Sequence, residues 1–184
     1  MRTLLSLGAL ALAAACAPAE MAQTASVRGC DAVATESWQA GAETLTIQAT
    51  AAGPDCEHAV ATLVVRNSEG AVWWTAAHPT AQIMTLAGAR DIEAMQTALR
   101  EWIAPANNTM QSTSALPVWP ENADSPAAGE FPFHVADGWD RTSYESIRAD
   151  DRALFCYVQG MESLACAAAV DGRLDLVGVQ QFPG

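Results

Sequence analysis

The sequence contains no lysine. All nine of its basic residues are arginine, against 21 acidic residues, and the formal net charge at pH 7 is −12. Because proteins bind nucleic acids by neutralising phosphates with basic side chains, this charge argues against a nucleic-acid partner. It also opposes binding to anionic lipid except through an anchor. The charge suits a cationic partner, although solubility alone also accounts for an acidic surface.

The sequence also lacks the common patterns of catalytic and cofactor sites. It has no H-E-x-x-H, G-x-S-x-G, P-loop or dinucleotide-binding glycine pattern, and its cysteines form no C-x-x-C pair. The histidines His58, His78 and His134 stand apart in the chain. Five carboxylates between residues 137 and 151 lack calcium-loop spacing, so a solvated face is the simpler interpretation. These five are Asp137, Asp140, Glu145, Asp150 and Asp151. We therefore nominate no catalytic, cofactor-binding or metal-ligating residue, and the balance is against an enzyme.

The N-terminus carries an apolar stretch that is too short to cross a bilayer. Residues 4–15 are mostly apolar and follow one arginine, whereas a membrane-spanning helix needs about 20 residues. This pattern predicts a secretory signal peptide. Residues 12–16 read Leu-Ala-Ala-Ala-Cys and resemble the lipobox of bacterial lipoproteins, with Ala13 where the pattern usually has leucine. The resemblance implies cleavage before Cys16 and lipidation of that cysteine.

These features predict three segments. Residues 1–15 are the signal peptide, 16–29 the lipidated N-terminus and tether, and 30–184 one domain. The resemblance implies a membrane anchor, and Ala17 after the cysteine implies the outer membrane, facing the periplasm. An ordinary cut after Ala15 or Ala19 would instead release a soluble periplasmic or secreted protein, and the sequence leaves this alternative open.

The cysteine count agrees with export, where disulfides persist. Removing or lipidating Cys16 leaves Cys30, Cys56, Cys156 and Cys166, which allow three connectivities. We predict Cys156–Cys166 and Cys30–Cys56, one bridge in each half of the chain. The first follows from strand register, because a turn at residues 160–162 sets Cys156 directly opposite Cys166.

Residues 153–181 give the strongest structural signal. Two turns, at 160–162 and at Asp171-Gly172, separate three apolar runs and predict an antiparallel meander. The Asp-Gly turn pairs Val170 with Arg173. Alternation leaves both faces of the meander apolar, so we expect its central strand to be covered on both sides. A row of alanines on one face would let a helix approach closely.

The first half of the domain also predicts strands, followed by a helix. Residues 43–50 alternate as a strand, and 56–66 with 71–77 form a hairpin around 67–70. Trp73 and Trp74 should then place one indole on each face. Apolar residues at helical spacing predict a helix from about residue 89 to 103, a candidate to lie on the alanine row.

The intervening residues 104–137 are rich in proline. Residues 116–119 and 131–135 are expected to form short edge strands, where proline is tolerated. Thr142 begins a candidate capping box for a short helix to about Ala149, with a strand as the open alternative. The predicted fold class is α+β, with antiparallel sheets from segments 43–77 and 153–181 packed on one main helix.

The sequence supports three classes of function. The first is a non-catalytic binding or structural role in the cell envelope. The second is inhibition of a cationic envelope hydrolase, similar to periplasmic lysozyme inhibitors in class only, because the Ser-Gly-x-x-Tyr motif of one such family is absent. The third is a periplasmic hydrolase that uses His134 or the acidic cluster. Partners are therefore the membrane, through the anchor, and a cationic envelope protein.

Overall fold

The computed structural model describes residues 29–107, 110–126 and 129–182. The predicted signal peptide and Cys16 lie outside these residues. The chain has eight strands and two α-helices in the described part. Their order is β1 Cys30–Ala40, β2 Glu43–Gly53, β3 Val60–Arg66, β4 Val72–Pro79, α1 Ile92–Ile103, β5 Phe133–Val135, α2 Arg141–Ala149, β6 Leu154–Val158, β7 Ser163–Val170 and β8 Arg173–Gln181. Within the described ranges, no helix is long and apolar enough to cross a membrane.

The first sheet has the order β1-β2-β3-β4, with every neighbouring pair antiparallel. Strand β1 was not predicted. It pairs with β2 through a two-residue connection that begins at Gly41, whose φ of 65° is a conformation that glycine adopts readily. Small apolar residues alternate on its buried face, with Trp38 as the only large one. Its pattern of burial is the period of two that half-buried strands show.

A β-bulge changes the face of one tryptophan. Val65 pairs with Trp74 and Arg66 with Val72, so Trp73 is an extra residue in β4. Both indoles pack against the same core. The expectation of one indole on each face was therefore wrong, because strict alternation does not continue through a bulge.

The predicted meander is confirmed. The second sheet has the order β5-β8-β7-β6. Val170 pairs with Arg173, and both Asp171 and Gly172 have positive φ, as an Asp-Gly hairpin turn requires. Cys156 pairs with Cys166, and these two residues form a disulfide. The second predicted disulfide, Cys30–Cys56, is also present.

The two faces of the second sheet belong to two cores, which confirms that the sheet is covered on both sides. Phe155, Tyr157 and Ala167 join the larger core, which the first sheet and α1 complete. Cys156, Cys166 and Val177 join a smaller core with Tyr144 and Ile147 of α2 and with Met110, Leu116 and Phe133. The architecture is α+β, with mostly antiparallel sheet and helices on the sheet faces.

Helix α1 begins at Ile92, three residues later than predicted. The Asp91 side chain accepts a hydrogen bond from the Ala94 backbone N–H and caps the helix. Its predicted apolar stripe is buried at Met95, Leu99, Trp102 and Ile103. The helix packs mainly on β1 and β2 and reaches the second sheet at β6, so it does not lie on the alanine row of β7. The extra strand β1 supplies the surface that the helix covers.

Helix α2 confirms the helical alternative for residues 142–149. Its cap is Asp140, not Thr142, in a capping box with Ser143. Residues 116–119 form no strand, although residues 133–135 form the predicted edge strand. The prediction placed the cap at the wrong residue because Thr142 and Asp140 are both good capping residues. Only the position of the first helical turn distinguishes them.

Candidate functional site

The three histidines have separate surroundings. His58 lies before β3 rather than within a strand, and its Nδ1 is 2.8 Å from Asp55 Oδ1. This hydrogen bond raises the pKa of His58, which is exposed. His134 lies on β5 with its Nε2 3.3 Å from Gln181 Oε1. His78 lies on β4 and contacts aromatic rings. Among the residues that the structure describes, the three side chains share no hydrogen-bond partner, so they are not brought together as one site.

The acidic cluster is dispersed among structural contacts. Asp140 caps α2, Glu145 forms an ion pair with Arg148, and Asp150 forms one with Arg152. Asp151 accepts a hydrogen bond from the Ser114 hydroxyl. Within the described ranges, no group of three or more His, Cys, Asp or Glu side chains is arranged to hold a metal ion. These four carboxylates therefore serve as a helix cap, as ion-pair partners and as a hydrogen-bond acceptor.

An aromatic cluster forms where α1 meets both sheets. The ring centroids of Trp102 and Tyr157 are 6.1 Å apart, and the His78 ring lies 6.3 Å from Trp102 and 6.0 Å from Tyr157. The Trp102 indole N–H donates a hydrogen bond of 2.6 Å to the Val158 carbonyl of β6. This bond fixes the end of α1 against the edge strand of the second sheet.

His78 is the unusual member of this cluster. Its Nε2 is buried and has no hydrogen-bond partner among the described residues. Burial lowers the pKa of His78, so the imidazole is neutral near pH 7. Burial also raises the pKa of the neighbouring Tyr157. His78, Trp102 and Tyr157 therefore form an uncharged aromatic surface near pH 7.

A groove of about 390 Å³ lies beside this aromatic surface. Trp102 and Tyr157 form part of its floor, and Met84, Leu164 and Phe182 contribute further apolar surface. Its volume lies within the range of ligand sites, which are usually apolar with a few polar groups. We name this feature the apolar groove. It gathers residues from the segment after β4, from α1, from β6 and β7, and from the end of β8.

Exposed apolar side chains surround the apolar groove. Met84 and Met161 are 55% and 53% exposed. They lie near each other because the Met84 N–H donates a hydrogen bond of 3.2 Å to the Gly160 carbonyl. Phe131 is also exposed, and its ring centroid is 5.4 Å from that of Phe182. A cluster of exposed apolar residues on a soluble surface is typical of an interaction site.

Sequence reasoning did not identify the apolar groove. Its residues come from distant parts of the chain and follow no common spacing, so only the packing of the two sheets reveals it. Met161, which stands between Gly160 and Glu162 in a predicted turn, was the available signal, because a large flexible apolar side chain in a turn contributes little to a core.

Comparison with protein families finds a matching family model. A family model described as penicillin amidase matches residues 18–147. The chain belongs to the penicillin amidase family. The match includes the first sheet, α1, β5 and most of α2, and it ends before the meander of β6, β7 and β8. Neither the curated proteins nor the solved structures contain a match to this chain. The apolar groove combines residues from the matched part with residues beyond it.

Proposed function

We propose that the protein is an exported, lipid-anchored envelope protein with a non-catalytic binding role. The observation that carries the binding role is the apolar groove with its exposed methionines and phenylalanines. Two buried disulfides agree with an oxidising compartment. Cleavage before Cys16 and its lipidation would hold the domain at the outer membrane, facing the periplasm. Residues 16–29 would then be the tether.

The contacts of the titratable side chains favour binding over catalysis. A nucleophilic hydrolase needs a nucleophile within hydrogen-bond reach of a base that a third group orients. His58 has an orienting carboxylate in Asp55, but the pair is exposed at the surface. His78 faces aromatic rings, and His134 lies beside the Gln181 amide. The carboxylates of residues 140–151 serve as caps and ion-pair partners.

A binding experiment with a fluorescent apolar dye tests the proposal. The purified domain should enhance dye fluorescence, and Met84→Gln should reduce that enhancement because Met84 lines the apolar groove and is exposed. Val72→Thr is the control, since Val72 is 49% exposed at the far end of β4. Equal dye binding by wild type and Met84→Gln, with both folded, would contradict a binding role for the groove.

Amide-bond hydrolysis is the second candidate function, and the family match is the observation that favours it. The purified chain would be incubated with benzylpenicillin, and released phenylacetate would be measured by chromatography. The His58–Asp55 pair is the available imidazole and carboxylate, so His58→Asn is the variant to compare. Turnover by wild type that His58→Asn abolishes would replace the binding proposal. If the wild type binds the dye but does not hydrolyse benzylpenicillin, the result would support the binding proposal.

A further inference from the structure

The apolar groove adjoins two neighbouring depressions and shares lining residues with each of them. Thr85 and Glu101 line both the groove and a depression that follows the exposed side of α1. Phe182 lines both the groove and a smaller depression beside Glu162. A ligand that filled the groove would therefore extend along α1 in one direction and towards the β6–β7 turn in the other. We name these three depressions together the extended groove.

The charge of the extended groove has one sign. Its charged lining residues are Asp91, Glu93 and Glu101 on the side of α1, and Glu162 at the other end. No arginine is among the described residues that line it. Arg90 lines an adjoining depression together with Asp91 and Glu93, and its guanidinium is paired with Glu57 at 2.8 Å. The extended groove thus has a mainly apolar centre, to which Glu101 also contributes, with further carboxylates at both ends: Asp91 and Glu93 at one, Glu162 at the other.

From this arrangement we infer that the extended groove binds a protein segment in which basic residues flank a large apolar side chain. The inference rests on the proposed binding function and names its partner class. An apolar anchor would occupy the space in front of Trp102, and lysine or arginine side chains would reach Glu93 and Glu162. Complementary charge speeds association and excludes acidic partners. A cationic envelope enzyme would present such a segment. Binding of that enzyme is what the second class of function, inhibition of a cationic envelope hydrolase, requires.

Three labelled peptides of equal length test the inference by fluorescence anisotropy. The first has lysines on both sides of a Leu-Trp centre, the second replaces its lysines by glutamates, and the third replaces the centre by serines. We expect the first to bind at least about tenfold more tightly than either of the others. Its affinity should also fall as salt is raised from about 0.05 M to 0.5 M, because salt screens exposed charges.

Two matched double variants separate local charge from total charge. Glu93→Gln with Glu162→Gln removes one carboxylate from each end of the extended groove and should weaken the first peptide about threefold to tenfold. Glu69→Gln with Asp171→Asn removes the same charge elsewhere and should change its affinity less than twofold. Glu69 lies in the turn before β4, at the opposite end of that strand from Met84, and Asp171 lies in the turn after β7, at the opposite end of that strand from Glu162. Circular dichroism would establish that both variants are folded.

The outcomes distinguish this inference from the proposed function. Equal affinity for the lysine and glutamate peptides would overturn the inference, and so would equal effects of the two double variants. Either result combined with a loss of binding in Met84→Gln would leave the apolar groove as a site for an uncharged ligand. Unchanged peptide binding in Met84→Gln would overturn the proposed function itself. Self-association that Met84→Gln abolishes in sedimentation would identify a second copy as the occupant and overturn the inference.

Discussion

Replacing both Cys156 and Cys166 by alanine should lower the free energy of unfolding by about 3–5 kcal/mol. The bridge joins residues separated by 10 positions, and chain-entropy arithmetic gives about 2.7 kcal/mol for a loop of that length. Both cysteines are fully buried, so the two lost sulfur atoms leave space in the smaller core. Each atom adds roughly 0.5–1 kcal/mol. Urea unfolding followed by tryptophan fluorescence measures the loss.

The second disulfide provides a matched comparison. Cys30 and Cys56 are nearly as buried, at 2% and 3%, but their bridge spans 26 positions. Because the truncation costs are similar, the two double variants should differ mainly in loop entropy. The variant without Cys30–Cys56 should be less stable than the other by roughly 1 kcal/mol. A loss below about 1 kcal/mol for Cys156 and Cys166, or a clear reversal of the order, would refute this reasoning. Non-reducing peptide mapping would verify both pairings in the wild type.

Four further results are expected. Leu99→Ala should cost about 2–5 kcal/mol in urea unfolding, because Leu99 is fully buried in the larger core, and a loss under about 0.5 kcal/mol would contradict this. Gly178→Ala should lower the thermal midpoint, because a Cβ there would lie 2.4 Å from the His134 carbonyl oxygen. The lowered pKa of His78 means that the unfolded state binds more protons, so stability should fall as pH drops below about 6.5, and His78→Phe should reduce this dependence in unfolding measured at several pH values. Mass spectrometry of the mature N-terminus should find a lipidated Cys16, and a chain that starts at Glu20 would refute the anchor.

The sequence predicted the second sheet well because its turns have specific backbone requirements. Asp171 and Gly172 adopt the positive φ values that an Asp-Gly hairpin favours, and this turn fixes the pairing of β7 with β8. Once the turn at residues 160–162 sets the register of β6 and β7, the position of the Cys156–Cys166 disulfide follows. Local rules therefore determined both the strands and the bridge.

The first sheet was predicted only in part because β1 has a weak hydrophobic signal. Its buried face is mainly alanine, which contributes little to hydrophobic periodicity, and Glu36 interrupts it. Without β1, the apolar stripe of α1 had no predicted surface except the alanines of the meander. The error in the position of α1 follows from the missing strand. The apolar groove was not predictable by these rules, because it depends on how two sheets and a helix pack together.

Sterics fix the register of β7 and β8, two strands that the disulfide does not join. Both faces of the meander are apolar, so hydrophobic patterning alone does little to prevent a slip by one residue. The structure shows a bulge after Cys166, where Cys166 pairs with Gly178 and Ala167 pairs with Leu176. A side chain at position 178 would also meet the Phe133 ring, with its Cε1 atom 2.5 Å from the added Cβ.

A slip would therefore move a valine into the place of Gly178, since Val177 and Val179 are its neighbours. Strand β5 could then no longer approach β8 as closely as it does. The register of β7 and β8 therefore does not depend on the disulfide, which joins β6 to β7, and the loss of the bridge should leave the pairing of β7 with β8 unchanged. In the alanine double variant, nuclear Overhauser contacts between Ala167 and Leu176 should persist. New contacts between Ala167 and Val177 would show that the glycine does not by itself hold β7 and β8 in register.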